Sequence, residues 1–369
     1  MNKKYALYIL LSALIAILSG CDMNIAIIDN TVIPDIDFTA ASNLKLMDHH
    51  GPIFIQEIVT DDGYDTYEYS SNRVPIVDMP DIATADFHLS EYNRNNYMVV
   101  KGKMGDDRTY PVILDTGANL EALIVQDIHI RQNNLPVYPL TNSSGPESKM
   151  SLCAVEKLQL GNFKINDCTG VSWGQHIELK LLGLIPLGRS TDICFPLPMM
   201  SKFKYFEFDI PARQVRFSIK KSFEPENEEN WHRFPMTIEC MENDPTKQFL
   251  FLDLEINGKC IRPMLDTGAG LGLMMNNRLW QQVKDNFEPI GRRKFNFILP
   301  FHFEGNKPRC IAVKVKNLNL GDIKMTGKEI TVLPETKNWK KADCIIGMGY
   351  FQEKTVTLDF ENKTLWVKK

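Results

Sequence analysis

The chain has 369 residues, of which 44% are apolar and 24% are charged, and its formal net charge is −4 at pH 7. This is the composition of an ordinary globular protein of two or three domains with enough apolar residues for a sizeable core. The slightly acidic balance, without a run of Lys or Arg, argues against nucleic acid as a partner.

The N-terminus has the pattern of an export signal. Lys3 and Lys4 precede an uncharged apolar run from Tyr5 to Leu18, and Ser19, Gly20 and Cys21 follow. The run is short for a membrane span and suits a signal peptide. The string Leu-Ser-Gly-Cys resembles a bacterial lipobox, so we predict a lipoprotein signal peptide over 1–20 and lipidation of Cys21. The protein would then be lipid-anchored to the cell membrane or the outer membrane, facing the periplasm or the exterior. A plain signal peptide and an uncleaved anchor are the alternatives.

The rest of the chain divides into four predicted segments. Residues 21–83 contain several prolines and an acidic stretch, which indicates a tether that could also act as a propeptide. Short Val/Ile/Leu/Phe-rich segments then alternate with turn signals, which is a β pattern. We predict a first lobe over 84–220, a charged linker over 221–230 and a second lobe over 231–369.

An internal duplication relates the two predicted lobes. The string "PVILDTGANL" around Asp115 returns 151 residues later as "RPMLDTGAGL" around Asp266. Downstream, "GPESKMSLCAVEKLQLGNFKI" aligns without a gap to "GNKPRCIAVKVKNLNLGDIKM". We further align 181–187 (LLGLIPL) with 345–351 (IIGMGYF), so that the offset grows to 164. This is a repeat of a whole lobe and not of a short solenoid unit.

The repeated Asp-Thr-Gly string predicts a pair of carboxyl groups at a pseudo-twofold axis. Each aspartate ends an apolar strand, and the following glycine permits close approach by a partner chain. Two charges about 4 Å apart repel by roughly 4 kcal/mol at an effective dielectric constant of 20, which corresponds to about three pKa units. Asp115 and Asp266 would therefore share one proton. One carboxyl could act as a general base on water and the other as a general acid on a carbonyl, without metal or cofactor.

These strings resemble the retropepsin-like aspartic proteases, in which Asp-Thr-Gly-Ala carries the catalytic carboxylate. The resemblance covers residues 84–369. It implies an all-β fold of two homologous β-barrel lobes related by a pseudo-twofold axis, with few short helices. By the same analogy, Asp115 and Asp266 are catalytic, and Thr116, Gly117, Thr267 and Gly268 support them. Leu182-Gly183 and Ile346-Gly347 would pack behind the two loops.

The function predicted from the sequence is an aspartic endopeptidase that uses no cofactor and no metal. Its substrate would be a peptide or protein, and it would be a monomer because both lobes lie in one chain. The first alternative is a catalytically inactive peptide-binding module on the same fold. The second is a serine hydrolase using Ser172, because Gly170 to Gly174 matches the Gly-x-Ser-x-Gly motif, which requires a strand before it and a helix after it.

Overall fold

The structure is a computed structural model. It describes residues 27–29, 53–59, 65–71, 76–92, 95–104, 109–118, 123–126, 137–140, 150–173, 176–181, 185–189, 193–241, 244–270, 272–294, 309–325, 329–333, 342–351 and 353–369. The predicted signal peptide, Cys21, Leu182 and Gly183 lie outside the described residues.

Short strands dominate the described residues. In chain order they are β1 (Ile27–Asp29), β2 (Ile53–Val59), β3 (Asp65–Ser71), β4 (Ile76–Asp78), β5 (Ala83–Tyr92), β6 (Asn95–Met104), β7 (Thr109–Asp115), β8 (Leu123–Gln126), β9 (Val137–Leu140), β10 (Met150–Leu160), β11 (Phe163–Trp173), β12 (His176–Leu181), β13 (Ile185–Arg189), β14 (Ile193–Pro196), β15 (Tyr205–Asp209), β16 (Gln214–Ser218), β17 (Trp231–Met241), β18 (Asp244–Leu252), β19 (Leu254–Ile256), β20 (Lys259–Ile261), β21 (Met264–Asp266), β22 (Leu273–Met275), β23 (Phe287–Lys294), β24 (Arg309–Val315), β25 (Leu318–Leu320), β26 (Ile323–Met325), β27 (Glu329–Leu333), β28 (Cys344–Gly347), β29 (Thr355–Asp359) and β30 (Thr364–Lys368).

Helices are few and short. They are α1 (Leu197–Met200), α2 (Asn277–Val283) and the 3₁₀ turns Glu228–Asn230, Lys284–Asn286 and Met348–Phe351. The predicted all-β class is confirmed. The predicted boundaries of the lobes and the linker stay predictions.

A six-stranded antiparallel sheet joins the two copies of the duplication. Its order is β5-β16-β15-β29-β30-β17, so β15 of the first copy pairs with β29 of the second. Tyr205 lies opposite Asp359, and Asp209 lies opposite Thr355. Each copy also ends in a similar strand pair, YFEFDIPARQVRF in the first and TVTLDFENKTLWV in the second, in which Asp209 corresponds to Asp359. With that correspondence, the register is symmetric about the pair Glu207–Thr357. The local pseudo-twofold axis therefore passes through that pair.

The two copies repeat one strand arrangement around their aspartates. In the first copy the order is β7-β14-β8-β11-β10, and in the second it is β21-β28-β22-β27-β24. In both copies the successive pairings are parallel, antiparallel, parallel and antiparallel. Each aspartate thus ends a strand whose parallel neighbour comes from about eighty residues further along its own copy.

The strand register corrects one predicted correspondence. Pro196 lies opposite Asp115, and Gly347 lies opposite Asp266, so the offset between the copies is again 151 at this point. Residues 185–187, which we aligned with the end of 345–351, instead belong to β13 in a separate three-stranded sheet with β1 and β12. The two apolar strings are similar in composition, and only hydrogen bonding to the aspartate strand distinguishes them.

Aromatic side chains fill the core behind the first aspartate strand. Phe195, Phe203, Phe206 and Phe217 are buried, and the rings of Phe206 and Phe217 stack with centroids 4.9 Å apart. Phe203 meets both rings edge to face at 4.9 and 5.6 Å. Such pairs stabilise a core beyond the burial of their apolar area. This packing holds β14, β15 and β16 together and so supports the strand beside Asp115.

Candidate active site

Two equivalent loops carry Asp115 and Asp266 at the ends of β7 and β21. After each aspartate the backbone turns back immediately. Ala118 N–H donates to the Asp115 carbonyl at 3.3 Å, and Ala269 N–H donates to the Asp266 carbonyl at 3.2 Å. Each aspartate also accepts a hydrogen bond at Oδ1 from the same alanine, at 3.2 and 2.9 Å. An aspartate side chain that bonds the backbone ahead of it favours such a turn. The strings therefore fold locally in the same way.

Thr116 and Thr267 join the two loops by four buried hydrogen bonds. Thr116 N–H donates to Thr267 Oγ1 at 2.9 Å, and Thr267 N–H donates to Thr116 Oγ1 at 3.0 Å. Each hydroxyl also donates across, Thr116 to the Leu265 carbonyl at 2.7 Å and Thr267 to the Leu114 carbonyl at 2.6 Å. Both threonines are at most 2% exposed. Water cannot replace these bonds, so the threonines hold the two aspartate strands in one relative position.

The glycines of the two loops lie against the opposite carboxyl groups. A Cβ atom on Gly117 would lie 2.6 Å from Asp266 Cγ, and one on Gly268 would lie closer still to Asp115 Cγ. A side chain at either position would therefore displace a carboxyl group. Glycine is required here for close approach, and this approach lets Asp115 and Asp266 face each other.

The two carboxyl groups lie close together and do not ionise independently. Removal from water raises the pKa of both, and the neighbouring Asp115 carboxylate further raises the pKa of Asp266 well above its usual range. At Asp115 this rise in pKa is opposed by hydrogen bonds from Asp266, Gly117 and Ala118. Such a pair binds one proton tightly and titrates as a unit. Between its two ionisations the site can thus offer a carboxylate and a carboxylic acid side by side.

Equivalent backbone groups support the two loops from behind. Leu197 N–H, at the start of α1, donates to the Ala118 carbonyl at 3.0 Å, and Met348 N–H donates to the Ala269 carbonyl at 2.9 Å. Ile346 and Gly347 lie beside the second loop as predicted, in β28. Pro196 takes the place of Gly347 in the first copy. The predicted partner Gly183 lies outside the described residues.

Cys194 is a member of the site that the sequence reasoning missed. Its thiol donates to Asp115 Oδ2, with Sγ 3.8 Å from that oxygen, and the residue is 8% exposed. It was missed because the aligned string was 181–187. An alignment whose offset returned to 151 after the gap-free strings would have found it, since it aligns Cys194 with Ile345 in the predicted apolar-Gly segment.

Ser172 lies within β11 and not at a turn. In this strand Ser172 pairs with Ser151 on one side and with Val125 on the other. The Gly-x-Ser-x-Gly motif of serine hydrolases requires a sharp turn from strand to helix at the serine. An extended residue between two paired strands does not provide that turn.

In the described part of the chain, no group of three or more His, Cys, Asp or Glu residues could hold a metal ion. None of the helices in that part has the length and apolar character needed to cross a membrane.

Comparison with known proteins corrects the family prediction. No family model matches the chain, and no curated protein matches it. Among solved structures, the basic 7S globulin from soybean matches at 11% identity and a TM-score of 0.40, and conglutin gamma, a basic 7S globulin from lupine seeds, matches at 12% and 0.43. Each alignment covers 78% of this chain and 95% of the other. The predicted membership of the retropepsin-like family is therefore corrected: no family model supports it, and the solved structures that match are basic 7S globulins.

Proposed function

We propose that the protein is an aspartic-type endopeptidase that hydrolyses peptide bonds with water activated between Asp115 and Asp266. The observation that carries this proposal is the close approach of the two carboxyl groups, in loops that four threonine hydrogen bonds join. A turn aspartate needs none of this, because a single carboxyl group is enough to cap a turn. Two carboxyls held together at a cost in electrostatic energy indicate a use for the shared proton.

The chemistry follows from the one-proton state of the pair. The ionised carboxyl removes a proton from water, whose oxygen attacks the carbonyl carbon of the substrate. The protonated carboxyl gives its proton to the carbonyl oxygen, so no charge builds up on the tetrahedral intermediate. When the C–N bond breaks, the first carboxyl passes its proton to the leaving nitrogen, and the second recovers one from the hydroxyl group. The site ends in its starting state.

We further propose that the protein acts on peptide or protein substrates while anchored to a bacterial membrane through a lipid on Cys21. This part rests on the N-terminal sequence alone. Mass spectrometry of the protein purified from membranes should find a chain beginning at Cys21 with a diacylglyceryl group. The Cys21→Ser variant should lack this mass and should leave the membrane fraction. A wild-type chain that still begins at Met1 would contradict the proposal.

The enzymatic proposal is tested by cleavage of a diverse peptide library between about pH 3 and pH 7, the range in which carboxyl dyads work. Asp115→Asn and Asp266→Asn should each lower kcat/KM by at least about a thousandfold, because neither acid nor base remains correctly paired. Both variants keep the shape of the side chain. Circular dichroism and the denaturation midpoint show whether they are folded.

Asp209→Asn is the matched control. Asp209 also ends a strand and also accepts a hydrogen bond from the backbone three residues ahead, Ala212 N–H at 3.0 Å. It ends β15, in the sheet that joins the two copies. This variant should keep wild-type turnover within about twofold, because Asp209 lies outside the two aspartate loops. The proposal fails if either dyad variant retains wild-type turnover, or if the wild type binds peptides from the library and cleaves none.

A further inference from the structure

Cys194 breaks the symmetry of the two carboxyl groups. It lies in β14 opposite Ile113 of β7, and the equivalent residue in the second copy is Ile345, opposite Met264 of β21. The backbone around the two sites is the same, but one copy presents a thiol at this position and the other presents a hydrocarbon.

The thiol adds a donor to one carboxyl only. Asp115 Oδ1 accepts from Gly117 N–H at 2.7 Å and from Ala118 N–H at 3.2 Å, and Asp115 Oδ2 is the oxygen that faces Cys194 Sγ at 3.8 Å. Asp266 accepts the equivalent backbone bonds from its own loop, from Gly268 and Ala269. Hydrogen bonds from a neutral donor favour the ionised form of a carboxyl group. The negative charge of the pair is therefore more stable on Asp115.

The thiol remains a donor over the whole working range of the site. Burial and the two nearby carboxyls raise the pKa of Cys194 well above its usual value, so the sulfur keeps its hydrogen. Within the described part of the chain, the titratable groups that act on the dyad are the two carboxyls themselves and this thiol. Ile113, Ile345 and Met264 on the neighbouring strands carry no charge.

We infer that Cys194 is a positioning residue that assigns the roles within the dyad, with Asp115 as the ionised base that activates water and Asp266 as the protonated acid. This inference rests on the proposed function for its catalytic meaning. The proton arrangement itself exists whether or not the protein turns over a substrate, so it can be measured separately.

The test is a ¹³C NMR titration of the aspartate carboxyl groups in the full folded chain, with Asp115→Asn used to assign the signals. In the wild type, the carboxyl that ionises first on raising the pH should be Asp115. In Cys194→Ala that first ionisation should move to higher pH, whereas Cys194→Ser, which restores a hydroxyl donor, should return it toward the wild-type position. Should Cys194→Ala fail to fold, Cys194→Val keeps the volume without the donor.

Cys344→Ala is the matched control, because Cys344 is a buried thiol in β28 that faces neither carboxyl. It should leave the titration unchanged. With a cleaved peptide, kcat/KM on the acid side of the pH profile should fall about threefold in Cys194→Ala and stay constant in Cys344→Ala, as expected for one weak hydrogen bond. The inference is overturned if the first ionisation belongs to Asp266, if it does not move in Cys194→Ala, or if it moves equally in Cys344→Ala. A wild type that titrates as described but cleaves nothing would remove the proposed function and leave the proton assignment standing.

Discussion

Replacing Thr116 by valine tests whether the threonine bonds hold the two halves of the site together. The substitution keeps the shape of the side chain and replaces the hydroxyl group by a methyl group. It leaves Thr267 N–H without its acceptor and the Leu265 carbonyl without its donor, and all of these groups lie in the interior. Each orphaned buried group costs about 1–3 kcal/mol. Thr116→Val should therefore lower the free energy of unfolding by about 2–6 kcal/mol.

Thr267→Val should lower the free energy of unfolding by a similar amount, because it leaves Thr116 N–H without an acceptor and the Leu114 carbonyl without a donor. The double variant should cost less than the sum of the two. Once the first pair of bonds is lost, the loops can separate and water can reach the remaining groups. The measurement is urea unfolding followed by tryptophan fluorescence and circular dichroism, with midpoint and slope compared between variants.

Thr357→Val provides the control for this cycle. Thr357 is fully buried, and its hydroxyl has no hydrogen-bond partner among the described residues. Its replacement by valine should be neutral or slightly stabilising, because a buried hydroxyl without a partner is costly. If Thr116→Val changes stability no more than Thr357→Val does, the threonine bonds do not hold the loops and the reasoning is wrong.

Three further changes test the site and its support. Burial and the neighbouring carboxylate raise the pKa of Asp266 in the folded protein. The bound proton therefore stabilises the folded protein fully below the unfolded-state pKa of about 3.9, and this stabilisation is lost as the pH rises through the folded-state pKa. Asp266→Asn should consequently increase stability relative to the wild type at pH 8 but not at pH 3, as urea midpoints at both values would show; an equal effect at the two values would contradict the shift. Gly117→Ala should displace the Asp266 carboxyl and lower kcat/KM on the order of a hundredfold. Gly258→Ala is the control: its added Cβ meets no atom within 4 Å, so it should leave the kcat/KM of the folded protein unchanged, although the φ of +76° at this turn strains an alanine and should lower stability. Phe206→Ala should lower the free energy of unfolding by about 3–5 kcal/mol, because it removes the ring stacked on Phe217, and a loss below about 1 kcal/mol would show that this core is not well packed.

Local sequence was sufficient for the fold class and for the pairing of the aspartates. Short apolar segments with turn residues between them do not support long helices, and the described residues are accordingly mostly strands. Two copies of Asp-Thr-Gly-Ala at equivalent points of a duplication predicted that two carboxyl groups meet. The structure brings Asp115 and Asp266 together, with Thr116, Gly117, Thr267 and Gly268 in contact around them. These residues are consecutive within each turn, so the short string Asp-Thr-Gly-Ala was enough to predict them.

Only the tertiary structure decided which segment lies beside the first aspartate. The strings 181–187 and 193–196 are both apolar, and neither their composition nor their period shows which one pairs with β7. Long-range hydrogen bonding decides this, because the register of two parallel strands depends on the whole sheet around them. That register places Pro196 where the second copy has Gly347, and it brings the Cys194 thiol to the Asp115 carboxyl. The sequence by itself thus determined that there are two carboxyl groups, while the packing of distant strands made their surroundings unequal.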